Sequence, residues 1–153
     1  MVLHFIHDEK TGERFFKYIN ENFNIDEHYF ILVGSKVCPQ NINIPEGTKS
    51  IFVSKKNFLL KLLRILHVMS KADIIIVHYL PLVELYFFMT IGKKYLNKIR
   101  WIMFGGDIYE TGYNEFQNNL LKSFFNKING VCYLIEEDYE YIVRKYNVKP
   151  NKY

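Results

Sequence analysis

Short apolar runs closed by turn residues alternate along this chain with longer stretches whose apolar residues recur every three or four positions. The first pattern is that of a strand buried on both faces, the second that of an amphipathic helix. Val2 to Ile6 is predicted as the first strand. Glu13 to Phe23, with Phe15, Phe16, Ile19 and Phe23 on one side, is predicted as the helix that follows. Tyr29 to Val33 is the second strand, closed by Gly34, and Lys36 to Lys49, with Pro39, Pro45 and Gly47, reads as a loop. Ile51 to Val53 is a short third strand, followed by a helix from about Asn57 to Ser70. Asp73 to His78 is the clearest buried strand, because three isoleucines and a valine stand together. Pro81 suits the first turn of a helix running to about Leu96, with Lys93 and Lys94 at its end.

Trp101 to Phe104 is then a fifth strand, stopped by Gly105 and Gly106. Phe116, Leu120, Leu121, Phe124 and Ile128 mark another helix, and Gly130 leads into a sixth strand, Val131 to Ile135. Glu136, Glu137 and Asp138 open a last helix, where negative charge meets the positive end of the helix dipole. This alternation predicts an α/β, Rossmann-like three-layer domain with a parallel sheet of about six strands in the order 3-2-1-4-5-6. Residues 1–153 read as a single such domain, a fragment of a longer two-domain chain, since Pro150 to Tyr153 stands where a linker is expected.

Composition narrows the function classes. Hydrophobic residues make up 49% and aromatics 17%, so the apolar supply exceeds what one small core needs, and part of it is expected to face a partner. The formal charge of +4 is too mild for a dedicated nucleic-acid binder, and no nucleic-acid partner is expected. Cys38 and Cys132 have no metal-ligand spacing, which fits a reducing, cytoplasmic setting. The uncharged apolar run Leu85 to Ile91 is far below the roughly 20 residues of a spanning helix, so any membrane association is expected to be peripheral.

Candidate chemistry gathers at the predicted carboxyl ends of strands, where ligands bind in open α/β sheets. The first strand ends in His7 without the glycine turn that seats a dinucleotide pyrophosphate, and neither a Walker lysine loop nor a paired metal-ligand motif is present. No cofactor and no metal are therefore expected. His7, His78 and Asp107 are the candidate catalytic groups, an imidazole and carboxylate set suited to deprotonating a hydroxyl. Each has a plainer alternative: a histidine as a hydrogen-bonded strand terminus, Asp107 as a turn acceptor. As an acid past a strand end, Asp107 is not expected to support the core. The acidic triplet reads as helix capping, and His4 and His28 as structural.

The helix from Asn57 carries one polar stripe of Asn57, Lys61, Arg64, His67 and Lys71, with apolar residues on all other sides. The surplus is expected to bury against a neighbouring helix or a missing domain. The sharper alternative is a basic helix in a membrane interface, with Lys55, Lys56, Lys61 and Arg64 facing anionic lipid.

The segment Trp101-Ile102-Met103-Phe104-Gly105-Gly106-Asp107-Ile108-Tyr109-Glu110 resembles the Trp-x-x-Trp-Gly-(Ala/Gly)-Asp-(Leu/Ile)-Tyr-Glu segment of bacterial TDP-N-acetylfucosamine:lipid II N-acetylfucosaminyltransferases, with Phe104 in place of the second Trp. Val77-His78 before it and Gly130-Val131-Cys132 after it fit the same order of elements. The resemblance implies the N-terminal half of a GT-B fold, an acceptor-binding domain of a glycosyltransferase in cell-surface polysaccharide synthesis. The partners implied are a lipid-linked saccharide acceptor and a nucleotide-sugar donor held mainly by a C-terminal domain, at the inner face of the cell membrane. Asp107 would bind or deprotonate the acceptor with His7 and His78 assisting, and Gly105, Gly106, Tyr109 and Glu110 would position the sugar. The isolated domain is expected to be inactive. A non-catalytic Rossmann-like subunit that recruits a catalytic partner to the membrane is the main alternative, and a flavodoxin-like phosphate-binding domain ranks lower.

Overall fold

The computed structural model describes residues 1–7, 9–34, 44, 46–54, 57–109 and 112–153, with the side chains of 9–13 and 58 left aside. Six strands form one parallel sheet: β1 (Val2–Ile6), β2 (His28–Gly34), β3 (Lys49–Ser54), β4 (Ile74–His78), β5 (Ile99–Ile102) and β6 (Gly130–Cys132). Their order is β3-β2-β1-β4-β5-β6, as the strand and helix alternation predicts. The connecting helices are α1 (Glu9–Asn22), α2 (Phe58–Lys71), α3 (Leu82–Thr90), α4 (Lys93–Leu96), α5 (Glu115–Phe125) and α6 (Glu136–Tyr146). This is a Rossmann-like α/β architecture. By compactness the chain divides into Met1–Ile75 and Ile76–Tyr153, the division falling inside β4.

In the first unit the parallel ladder sets Leu3 beside Tyr29 and Phe5 beside Ile31, and continues from Ile31 to Ile51. Ile6, Phe16, Ile19, Phe30 and Leu32 form a buried cluster between strands and α1, with Phe16 edge-on to Phe30. His4 and His28 share a buried hydrogen bond of 2.9 Å between Nε2 and Nδ1, and His4 also stacks on Phe30. Their reading as structural residues therefore acquires a partner for each ring. The amino terminus closes the unit by pairing with Asp73 at 2.6 Å.

In the second unit Trp101 is 1% exposed, stacked on Phe125 and edge-on to Phe124, while Tyr146 of α6 packs on Phe125. Two differences from the sequence-based expectation have clear causes. The single helix predicted from Pro81 to Leu96 is two, because Gly92 takes φ +94° in the left-handed region and ends the first. Its carbonyl then accepts from the N–H groups of Tyr95 and Leu96, which starts the second. The other difference is at the last residues. Val131 N–H donates to the Asn151 carbonyl and Tyr153 N–H to that of Val131, so the tail pairs along the outer side of β6. An edge strand otherwise exposes a row of unpaired backbone groups.

Candidate functional site at the end of strand β5

Beyond Ile102 the chain leaves the sheet in steps that each residue type makes possible. Met103 N–H still donates to Cys132 O at 2.9 Å, carrying the pairing with β6 one residue past the strand. Gly105 then adopts φ +80°, a conformation that costs a side-chain-bearing residue about 1 kcal/mol or more. Its carbonyl accepts from Ile108 and Tyr109 N–H at 3.0 and 3.1 Å, which closes a compact turn. Gly106 needs no such freedom, and a methyl group there would meet no atom of the described residues within 4 Å beyond its chain neighbours. That open side faces whatever approaches the turn.

Asp107 is 1% exposed, and its carboxylate is hydrogen-bonded. Trp101 Nε1–H donates to Oδ2 at 2.9 Å and Phe104 N–H donates to Oδ1 at 3.1 Å, while the backbone of Asp107 itself and that of Leu80, in the loop after β4, also stabilise its charge. Burial pushes its pKa above the ordinary carboxylate range, and these donors oppose the shift without cancelling it. The residue before Leu80, Tyr79, sits at φ +66°. A positive φ at a tyrosine is a strained conformation, kept only where surrounding contacts enforce it. The arrangement ties the end of β5 to the segment that follows His78.

His78, the last residue of β4, is buried, and burial alone lowers its pKa to about 4. At neutral pH it is an uncharged imidazole. Tyr109, exposed at its ring, donates its hydroxyl to Asp138 Oδ1 at 2.6 Å, which holds the phenol proton and raises its pKa. The Tyr109 ring also lies 4.7 Å from that of Tyr141, so both partners come from α6. Phe104 and Tyr109 thus present aromatic surface on either side of the glycine pair in sequence, with Asp107 tucked beneath.

The structure therefore brings together Asp107, Gly105, Gly106 and the loop just past His78, and it attaches Tyr109 to α6. His7 follows β1 in the first unit and is half-buried. Glu110, Lys55 and Lys56 lie outside the described residues. Lys61 turns its ammonium onto the carbonyl of Phe52, and Arg64 reaches the Tyr29 hydroxyl at 3.5 Å.

Three contributors were not singled out by sequence reasoning. Asp138, grouped with the helix-capping acids, is buried and serves as Tyr109's acceptor. Trp101 donates to Asp107, and the Leu80 backbone stabilises its charge. Only the tryptophan left a signal, since a buried indole N–H needs an acceptor and an acid stands six residues on. Glu84, in the first turn of α3, is a further buried carboxylate. Among the described residues no group of three or more His, Cys, Asp or Glu is arranged to hold a metal ion, and no helix is long and apolar enough to cross a membrane.

The chain is a Rossmann-like α/β protein with a buried, hydrogen-bonded carboxylate just past the carboxyl end of β5. No protein-family model matches the chain, and no curated protein matches it.

Proposed function

We propose that the chain is the acceptor-side domain of a glycosyltransferase that passes a sugar from a nucleotide-sugar to a lipid-linked saccharide in cell-surface polysaccharide synthesis. It would work peripherally at the inner face of the membrane. The observation that carries the reading is the hydrogen bond from Trp101 to Asp107 across a turn that Gly105 makes at φ +80°. These are the residues on which the resemblance to the N-acetylfucosaminyltransferases rests, and a shared hydrogen-bonded structure is a physical reason for them to occur together.

In this reading the buried carboxylate shapes the turn, and the exposed parts of the turn meet the saccharide. A general base needs hydrogen-bond reach to the acceptor hydroxyl, and a carboxylate that is 1% exposed and already accepts from Trp101 and Phe104 is better suited to positioning. Phe104 offers an apolar face for a sugar ring, and the space over Gly106 admits a ligand close to the backbone.

The test is binding of a short-chain prenyl diphosphate N-acetylglucosamine to the intact chain, followed by amide NMR. The expected result is saturable binding that perturbs the Gly105 and Gly106 signals and weakens about tenfold or more in Phe104→Ser. That variant changes an exposed ring and should fold normally. No binding at millimolar ligand, or equal binding by the variant, would overturn the proposal.

A further inference from the structure

The solvent face of α2 carries leucine where a domain surface ordinarily carries charge. Leu59, Leu60 and Leu63 are 79%, 87% and 81% exposed, whereas Ile65, Val68 and Met69 on the other side of the same helix are buried. At about 100° per residue, the exposed positions Leu59, Leu60, Leu63, Arg64, His67, Ser70 and Lys71 share an arc of roughly 140°. The packing requirement of the first unit is already met by the opposite side. These three leucines are therefore surplus to its core, as the composition of the helix foretold, but they do not pack on any described element.

What could cover them is narrowed by charge. No acidic residue occurs anywhere in α2, and the exposed charged side chains on the leucine face, Arg64 and Lys71, are both basic. Lys61 is excluded from that face because its ammonium is engaged by Phe52 O. A protein partner could be of either charge, whereas leucines whose only charged neighbours on the helix face are cations match the layered chemistry of an anionic bilayer: acyl chains below, phosphates above.

We propose that α2 lies in the interface of an anionic membrane, with Leu59, Leu60 and Leu63 entering the headgroup and acyl boundary and Arg64 and Lys71 meeting lipid phosphates. This rests on the membrane part of the function proposed above and identifies the residues that would perform it. It also revises which residues face lipid, replacing Lys61 by the leucines.

Flotation of the intact chain with phosphatidylcholine vesicles, with and without phosphatidylglycerol, tests the proposal. Binding is expected with phosphatidylglycerol, weakening as salt is raised, and falling at least about thirtyfold in Leu59→Ser/Leu60→Ser/Leu63→Ser. Arg64→Gln/Lys71→Gln should lose about fivefold per charge removed. Circular dichroism confirms that the serine variant is folded, as exposed leucines imply. Failure of the wild-type chain to float with anionic vesicles overturns the proposal. So does undiminished flotation of the serine variant, or a wild-type dimer in solution that the serine variant abolishes. Binding of the soluble diphosphate saccharide is measured on the same variants, so loss of membrane binding with saccharide binding intact separates this inference from the glycosyltransferase reading.

Discussion

The indole N–H of Trp101 donates to the carboxylate of Asp107 across 2.9 Å, inside a region where both side chains are almost wholly buried. This single bond joins the strand to the turn that ends it. It makes the acid part of the fold, where its place after a strand alone suggests a group free to act.

Asp107→Asn should therefore be destabilising. The amide offers one oxygen in place of two and turns an NH2 group toward backbone or indole donors, and the loss of charge-assisted bonds costs about 2 kcal/mol or more. The expectation from sequence, that folding would hardly change, reverses. Chemical denaturation of wild type, Asp107→Asn and Trp101→Phe measures it, with Trp101→Phe costing somewhat less because the Phe104 N–H still donates to the carboxylate. An Asn variant as stable as the wild type would show that the carboxylate is dispensable to the fold.

His78 should make the protein acid-sensitive. Its folded pKa of about 4 lies below the ordinary 6.5, so the unfolded chain takes up the proton first as pH falls. Stability from this group is complete above the ordinary value and is lost as pH drops toward 4, by about 3 kcal/mol across the window. His28, also lowered by burial, acts in the same direction. Asp107 acts in the opposite sense: its folded pKa is raised, so its contribution is present at low pH and declines as pH rises through the raised value. The difference between wild type and His78→Gln isolates the histidine. Parallel stability curves from pH 7 to pH 4 would contradict the assignment.

The two neighbouring glycines should respond differently to alanine. Gly105→Ala forces a side chain into φ +80° and is expected to cost about 1 kcal/mol or more. Gly106→Ala meets open space and should leave the melting temperature nearly unchanged. If a saccharide uses that space, Gly106→Ala weakens ligand binding in a protein that is otherwise intact. The reverse order of stabilities would contradict the geometry of the turn.

Gly130→Ala should free the tail from β6. A Cβ there would come within 2.6 Å of Asn151 O and of the Tyr153 ring, closer than real contacts allow. The Arg100 guanidinium lies over that same ring, 3.9 Å from its centre, so the variant also disturbs this contact. Amide exchange at Val131, whose N–H donates to Asn151, should accelerate by about tenfold or more while Leu3 and Phe5 in β1 keep their protection. Unaltered exchange at Val131 would mean that the tail pairing carries no stability.

Strand and helix alternation, the order of the sheet and the placement of Asp107 just past β5 are legible along the chain because they arise from short-range periodicity. A buried parallel strand must be apolar on both faces, a covering helix must repeat every 3.6 residues, and right-handed crossovers leave few arrangements. Partners distant in sequence follow from no such periodicity. The Leu80 backbone bears on Asp107 from 27 positions earlier, past a Tyr79 at positive φ, and Tyr109 finds Asp138 across 29 positions. The break at Gly92 depended on a backbone angle that the apolar run around it conceals. In α2 the excess of leucine was visible from composition, but burial is decided by which side of a helix its neighbours occupy. The fold buries Ile65, Val68 and Met69 and leaves Leu59, Leu60 and Leu63 in solvent.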